Sequence, residues 1–145
     1  EFLVLARKIN NSMPEYTIEL LREELNKLGK SIKGARIALL GLAYKGNVDD
    51  IRESPALEMR EMLKKLGSSL IVYDPFLLEK SDAKTLEDAL SKSDYVVIAT
   101  DHNEFKNMDL GLLNKYNIKL ILDGRNCLDK ASVESIGVRY KGIGR

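Results

Sequence analysis

The sequence predicts a doubly wound α/β domain with a mostly parallel, Rossmann-like sheet, preceded by the end of a helical domain. Three observations carry this reading. After residue 34, short runs rich in Val, Ile and Leu recur at Ala35–Leu40, Leu70–Tyr73, Tyr95–Ala99 and Lys119–Leu122. They read as continuous apolar runs, not as alternating ones, and such strands are buried on both faces. Helical stretches separate them, as right-handed crossovers between parallel strands require. Residues 2–28, by contrast, show only helical periodicity.

The elements follow in order. Phe2, Leu5, Ile9 and Met13 form one apolar stripe and Ile18, Leu21, Leu25 and Leu28 another. Pro14 separates them; proline lacks a donor and disfavours helix in the residue before it, so a kink or break is expected there, with a fresh helix starting near Pro14. Gly29 closes that helix. The first strand ends at Gly41. Ser54 suits an N-cap and Pro55 the first helical position, and Ala56, Met59, Leu63 and Leu66 make an inward stripe that ends at Gly67. Asp74-Pro75 stops the second strand. A short helix is expected from Thr85 to Ser91, weak helicity over 109–116, and a fifth strand around Val138–Tyr140. Division into residues 1–33, the end of a helical domain, and 34–145, the sheet domain, follows.

With 145 residues, 44% hydrophobic and 31% charged, the chain can bury a core without disulfide or metal. Its 23 Lys+Arg and 22 Asp+Glu interleave to a net charge of +1. That leaves no single-sign field to attract nucleic acid or a membrane surface. The longest apolar runs, such as Tyr95–Ala99, fall far below the roughly 20 residues of a membrane span. Glu1-Phe2-Leu3 offers no signal peptide and Cys127 is the only cysteine, so a cytoplasmic protein is expected. An uncapped helical start points to a piece of something longer.

In doubly wound sheets, ligands bind beyond the carboxyl ends of the strands, where strand order reverses. After the first strand stands Gly41-Leu42-Ala43-Tyr44-Lys45-Gly46. Leu42 and Tyr44 break the dinucleotide glycine spacing, and Lys45 is followed by glycine, not by the Ser or Thr of a P-loop. What remains is an aromatic ring beside an ammonium, able to stack on a base or sugar and to neutralise a phosphate. The alternative is a solvated turn lysine beside a core tyrosine. Arg52, just before a helix start, offers a planar fork; the acids Asp49, Asp50 and Glu53 around it could equally serve that helix. Asp74 reads as a turn starter and His102, the only histidine, as a satisfied structural residue. Cys127 has no neighbouring base, and no cluster with metal-ligand spacing occurs. Arg125, in Asp123-Gly124-Arg125-Asn126, carries five fixed donors suited to phosphate or vicinal hydroxyls.

Gly41-Leu42-Ala43-Tyr44-Lys45 followed by Asp49-Asp50-Ile51-Arg52-Glu53-Ser54-Pro55-Ala56 resembles the UDP-glucose/GDP-mannose dehydrogenase family. Val72-Tyr73-Asp74-Pro75 and Asp123-Gly124-Arg125-Asn126 fit it too, and residues 10–16 resemble the end of its central helical domain. The resemblance implies an NAD-dependent enzyme in three parts: an N-terminal Rossmann domain for NAD, a central dimerisation domain, and a C-terminal Rossmann-like domain for the nucleotide of the sugar substrate. This chain resembles the third. The family oxidises the sugar C6 alcohol twice, through a thiohemiacetal on a cysteine outside this chain, so no catalytic residue and no activity are expected here. By the same resemblance Tyr44, Lys45 and Arg125 contact the UDP-sugar, and Arg52 approaches NAD, which the missing domain mainly binds. The implied partners are the rest of the polypeptide and a second copy in a homodimer. The wording around Arg52 resembles the UDP-N-acetylmannosamine branch and that around Arg125 the UDP-glucose branch.

Two other classes fit the same fold. A signalling receiver would use Asp49, Asp50 and Thr100, although the acids lie eight and nine residues past Gly41 and no lysine ends the fourth strand. A self-standing NAD-binding or interaction module lacks the glycine fingerprint. Self-association through Phe2, Leu5 and Ile9 is a further expectation.

Overall fold

The computed structural model describes the backbone from Phe2 to Arg145 and the side chains from Met13 onward. The apolar stripe of Phe2, Leu5 and Ile9 thus lies outside the described side chains.

Helix α1 (Phe2–Lys27) is one helix with Pro14 inside it, so the expected break is absent. An internal proline costs about 3 kcal/mol, through the lost amide and the clash with the preceding turn. Burial of Ile18, Leu21 and Leu25 against the sheet stabilises the C-terminal half of α1, and the Thr17 hydroxyl donates to the Met13 carbonyl at 2.9 Å. At the other end Gly29 takes φ 72°. Its N–H donates to Asn26 and that of Lys30 to Leu25, both at 2.9 Å, which satisfies carbonyls the helix leaves free.

The sheet holds β1 (Arg36–Leu40), β2 (Ser69–Tyr73), β3 (Tyr95–Ile98), β4 (Leu120–Asp123) and β5 (Arg139–Gly142). All pairs are parallel, in the order β2-β1-β3-β4-β5. Leu40 pairs with Tyr73 and Ile98, Ile98 with Asp123, and Asp123 with Gly142, so the carboxyl ends stand in one row. The chain leaves β1 in one direction and returns past it to β3; strand order reverses between these two.

Alternate residues face two cores. Ile37, Leu39, Val72, Val97 and Leu122 meet α1 and α2 (Pro55–Lys65), while Ala38, Leu40, Val96, Ile98 and Ile121 meet the helices on the opposite face. Those are α3 (Leu86–Ser91), α4 (Asn103–Lys106), α5 (Gly111–Lys115) and α6 (Lys130–Ser135). Ser54 caps α2 as expected, accepting from Ala56 N at 3.3 Å with Pro55 at the first position. Helices α4 and α6 and a 3-10 turn at Leu78–Lys80 are additions to the sequence reading; each is too short to display a stripe.

The buried carboxylate of Glu24 ties α1 to β5. It accepts from Arg139 Nε at 2.8 Å and Lys27 Nζ at 3.0 Å. Burial raises its pKa, but these donors outweigh that and hold it below the usual range. No helix among the described residues is long and apolar enough to cross a membrane.

Because Leu21 is fully buried and Tyr16 is 47% exposed on the same helix, Leu21→Ala is expected to cost about 2–5 kcal/mol and Tyr16→Ala within about 0.5. Urea unfolding measures both; equal, small effects would show that α1 is not packed on the sheet.

Candidate functional site

The row of strand ends carries three loops that meet above the reversal between β1 and β3. The first begins at Gly41, with φ 103° and the Thr100 side chain and amide so near that any Cβ would collide with them. Gly46 is as constrained, since a Cβ there would lie 2.5 Å from the Asp101 carbonyl. The two glycines let the β1 loop lie directly on the β3 loop.

A buried carboxylate fixes this loop. Asp74, at the end of β2, is fully buried. Its Oδ2 accepts from Leu42 N at 2.7 Å, Ala43 N at 3.0 Å and His102 Nε2 at 2.9 Å. Its Oδ1 accepts from Phe76 N at 2.8 Å. Burial opposes the charge, but these donors outweigh it and the pKa lies below the ordinary aspartate value. His102, also fully buried, accepts the Asn47 amide on Nδ1 at 2.8 Å. The Ala43 carbonyl accepts from Thr100 Oγ1 at 2.9 Å and Ser54 Oγ at 3.2 Å.

A second buried acid, Asp123, organises the loop after β4. It accepts from the amides of Arg125, Cys127 and Leu128 and from the Tyr140 hydroxyl. Arg125 then crosses the row: Nε donates to the Ala99 carbonyl at 3.2 Å and Nη2 to the Tyr44 carbonyl at 2.8 Å. Its Nη1 lies 3.6 Å from Asp101 Oδ1, beyond hydrogen-bond reach, and that buried oxygen has no donor.

Of the residues singled out in the sequence, Tyr44, Lys45 and Arg125 are therefore brought together. Tyr44 is 49% exposed and Lys45 is exposed beside it, so the tyrosine is not a core residue. Arg52 shares with Tyr44 alone of these three a shallow cleft of about 340 Å³, lined by Tyr44, Asp50, Arg52 and Glu53. Its guanidinium forks onto Asp50 at 3.0 and 2.8 Å and, with its own amide, holds that carboxyl down to about 2. A cleft of about 330 Å³ at the opposite, amino ends of the strands is lined in part by Lys30, Lys33, Arg36 and Asp94. There Arg36 is already engaged by Asp94 at 3.0 and 3.1 Å.

The readings of Asp74 and His102 as structural hold, yet together they shape the site loop. Sequence reasoning missed that partnership. Its available signal was an acid and a histidine just beyond the two strands that flank β1. The Cys127 thiol is pushed up to about 12 by burial and by Asp123, which makes it unreactive. Of the residues the receiver reading named, Thr100 and Asp50 are both engaged internally, Thr100 with the Ala43 carbonyl and Asp50 with Arg52. No group of three or more metal-ligating side chains occurs among the described residues.

Asp74→Asn removes one of two oxygens that accept four buried donors, so a loss of about 3 kcal/mol is expected. A carboxylate with a lowered folded pKa contributes stability above the unfolded value of about 4 and loses it as pH falls through the folded one. Urea titrations at several pH values are expected to show the gap between wild type and variant widest above pH about 4 and narrowing below it. A gap independent of pH would remove the charge from the explanation.

Comparison with known proteins identifies the family. Residues 38–130 match the UDP-glucose/GDP-mannose dehydrogenase family, UDP binding domain. The UDP-N-acetyl-D-mannosamine dehydrogenase of Pyrococcus horikoshii is 41% identical over 142 residues, covering 97% of this chain and 33% of that protein. UDP-glucose 6-dehydrogenase YwqF of Bacillus subtilis is 33% identical over 155 residues, covering all of this chain and 34% of its own. The crystal structure of NDP-N-acetyl-D-galactosaminuronic acid dehydrogenase from Methanosarcina mazei superposes with TM-score 0.92 at 32% identity, over 100% of this chain and 32% of that one. This chain thus spans about a third of the length of its relatives. The chain belongs to the UDP-glucose/GDP-mannose dehydrogenase family, and what it matches there is the UDP binding domain.

Proposed function

We propose that this chain is the substrate-nucleotide half of an NAD-dependent nucleotide-sugar 6-dehydrogenase, and that it grips the uridine diphosphate of the sugar at the carboxyl ends of β1, β3 and β4. The single observation that carries this reading is the convergence of Tyr44, Lys45 and Arg125, with Arg125 bonded to the carbonyl of Tyr44 at 2.8 Å. These residues lie in different loops, 81 positions apart in sequence, and meet where an α/β sheet places its ligands.

The roles follow from side-chain chemistry. Tyr44 offers an exposed ring face for stacking and Lys45 a compact charge for a phosphate oxygen. The Arg125 guanidinium already uses Nε and one Nη2 hydrogen on carbonyls. Nη1 faces the Asp101 carboxylate at 3.6 Å without a hydrogen bond, so its N–H groups and the second Nη2 hydrogen are the donors left for a phosphate or the ribose hydroxyls. Arg52, 87% exposed at its side chain and forked onto Asp50, is the residue that by the family resemblance would approach NAD in the complete enzyme. In that enzyme a bound NAD would supply the hydride acceptor; the residues of this chain bind and orient the substrate nucleotide. Relatives named for UDP-N-acetyl-D-mannosamine and for UDP-glucose both match nearly the whole chain, which supports recognition of the shared UDP portion. The cytoplasm as compartment, a homodimer in the full-length enzyme and the boundary near residue 33 belong to the same proposal.

Calorimetry with UDP, UDP-sugars and NAD tests it. UDP is expected to bind, and Lys45→Ala and Arg125→Ala each to weaken it about ten- to a hundred-fold, as for a lost charge-assisted hydrogen bond. NAD binding as strong as UDP binding would overturn the assignment. The chain alone is expected to show no dehydrogenase turnover; measurable turnover would refute its role as a half-site.

A further inference from the structure

The β1 loop is held at both ends by one buried pair. At its start, the amides of Leu42 and Ala43 donate to Asp74 Oδ2; at its end, the amide of Asn47 donates to His102 Nδ1. His102 Nε2 closes the circuit on the same Asp74 oxygen at 2.9 Å. Only Tyr44, Lys45 and Gly46 stand between the two grips. An amide N–H can only donate, so Nδ1 must present a lone pair and the ring hydrogen must sit on Nε2, where Asp74 accepts it. The imidazole is thereby fixed as a single neutral tautomer.

The surroundings lock the ring in that pose. It is fully buried, stacked on Phe76 at 4.8 Å and edge-on to Phe105 at 5.6 Å. Asn47 adopts φ 64°, a conformation asparagine tolerates better than most residues. Its side-chain oxygen accepts from the Asn103 amide at 3.0 Å, one residue beyond His102. The loop end is therefore attached twice to the segment that carries the histidine.

We propose that His102, as the neutral Nε2–H tautomer between Asp74 and the Asn47 amide, is a positioning residue that sets where Tyr44 and Lys45 stand for ligand binding. This rests on the reading that those two side chains hold the nucleotide. A histidine needed only for packing would make no demand on which ring nitrogen carries hydrogen, and a phenylalanine of similar volume could replace it. The clamp demands an acceptor at the position of Nδ1 in particular.

The test separates these demands on the full chain. Nitrogen-15 NMR of the wild type is expected to find Nε2 protonated and Nδ1 not, with a through-bond coupling from the Asn47 amide to Nδ1. A hydrogen on Nδ1 would overturn the proposal, and this readout needs no variant to fold. His102→Asn keeps an oxygen where Nδ1 stood, His102→Gln keeps a donor where Nε2 stood, and His102→Phe keeps only the ring. Amide exchange at Asn47 is expected to stay within about three-fold of wild type in His102→Asn. It is expected to rise about ten-fold or more in the other two, the effect of one lost hydrogen bond. UDP affinity is expected to follow that order and not the order of melting temperatures. Affinity that tracks melting temperature alone would reduce His102 to a packing residue. If the wild type binds no UDP, the assigned ligand fails, while the exchange ranking and the tautomer still decide the clamp.

Discussion

Everything at the carboxyl end of the sheet depends on one buried negative charge. A carboxylate removed from water is destabilised by several kcal/mol unless its lone pairs are filled. Asp74 fills them with three backbone amides and one imidazole. The donors come from three separate segments: the β1 loop, the β2 loop and the start of α4. Satisfying the charge and assembling the loops are therefore one event. A neutral residue of similar size would leave some of those donors without an acceptor and so weaken the link between the segments.

Asp123 repeats this solution at the end of β4, where three amides and the Tyr140 hydroxyl converge on it. The two acids stand at the ends of strands on opposite sides of the β1/β3 pair, so each organises one bank of the crevice. Arg125 connects the banks through backbone carbonyls and not through either acid. Its guanidinium also lies 3.6 Å from the Asp101 carboxylate, so part of its charge is already offset inside the crevice.

The fold was legible because it is written in hydrophobic periodicity, which is local. Continuous apolar runs at Ile37–Leu40 and Tyr95–Ile98 can be satisfied only between two layers of helices, and parallel order follows from the crossovers. Pro14 misled for the opposite reason. A proline is a local penalty, and the packing of Ile18, Leu21 and Leu25 on a distant sheet does not show in its neighbourhood. Helices α4 and α6 lack a stripe because each has only one inward residue, Phe105 and Val133. Tyr44, Lys45 and Arg125 could be placed at the crevice from strand ends alone. The Asp74–His102 bond could not, since 28 residues separate its partners and each has an ordinary local explanation, a turn and a core position.

Rigidity in this site stops at the backbone. Residues 42, 43, 44 and 47 all donate their amides to fixed acceptors, Tyr44 to the Asp50 carbonyl at 2.6 Å among them. The side chains of Tyr44, Lys45 and Arg52 remain exposed above it. Ordering a side chain on binding costs about 0.5–1.5 kcal/mol, whereas ordering a loop adds a backbone penalty at every residue. With the loop already fixed by folding, a ligand gripped here as proposed would have only a few side-chain rotors to restrain. A crevice so open on one side can therefore still present its ring and its charges at defined places, and the burial of two acids during folding is what makes that possible.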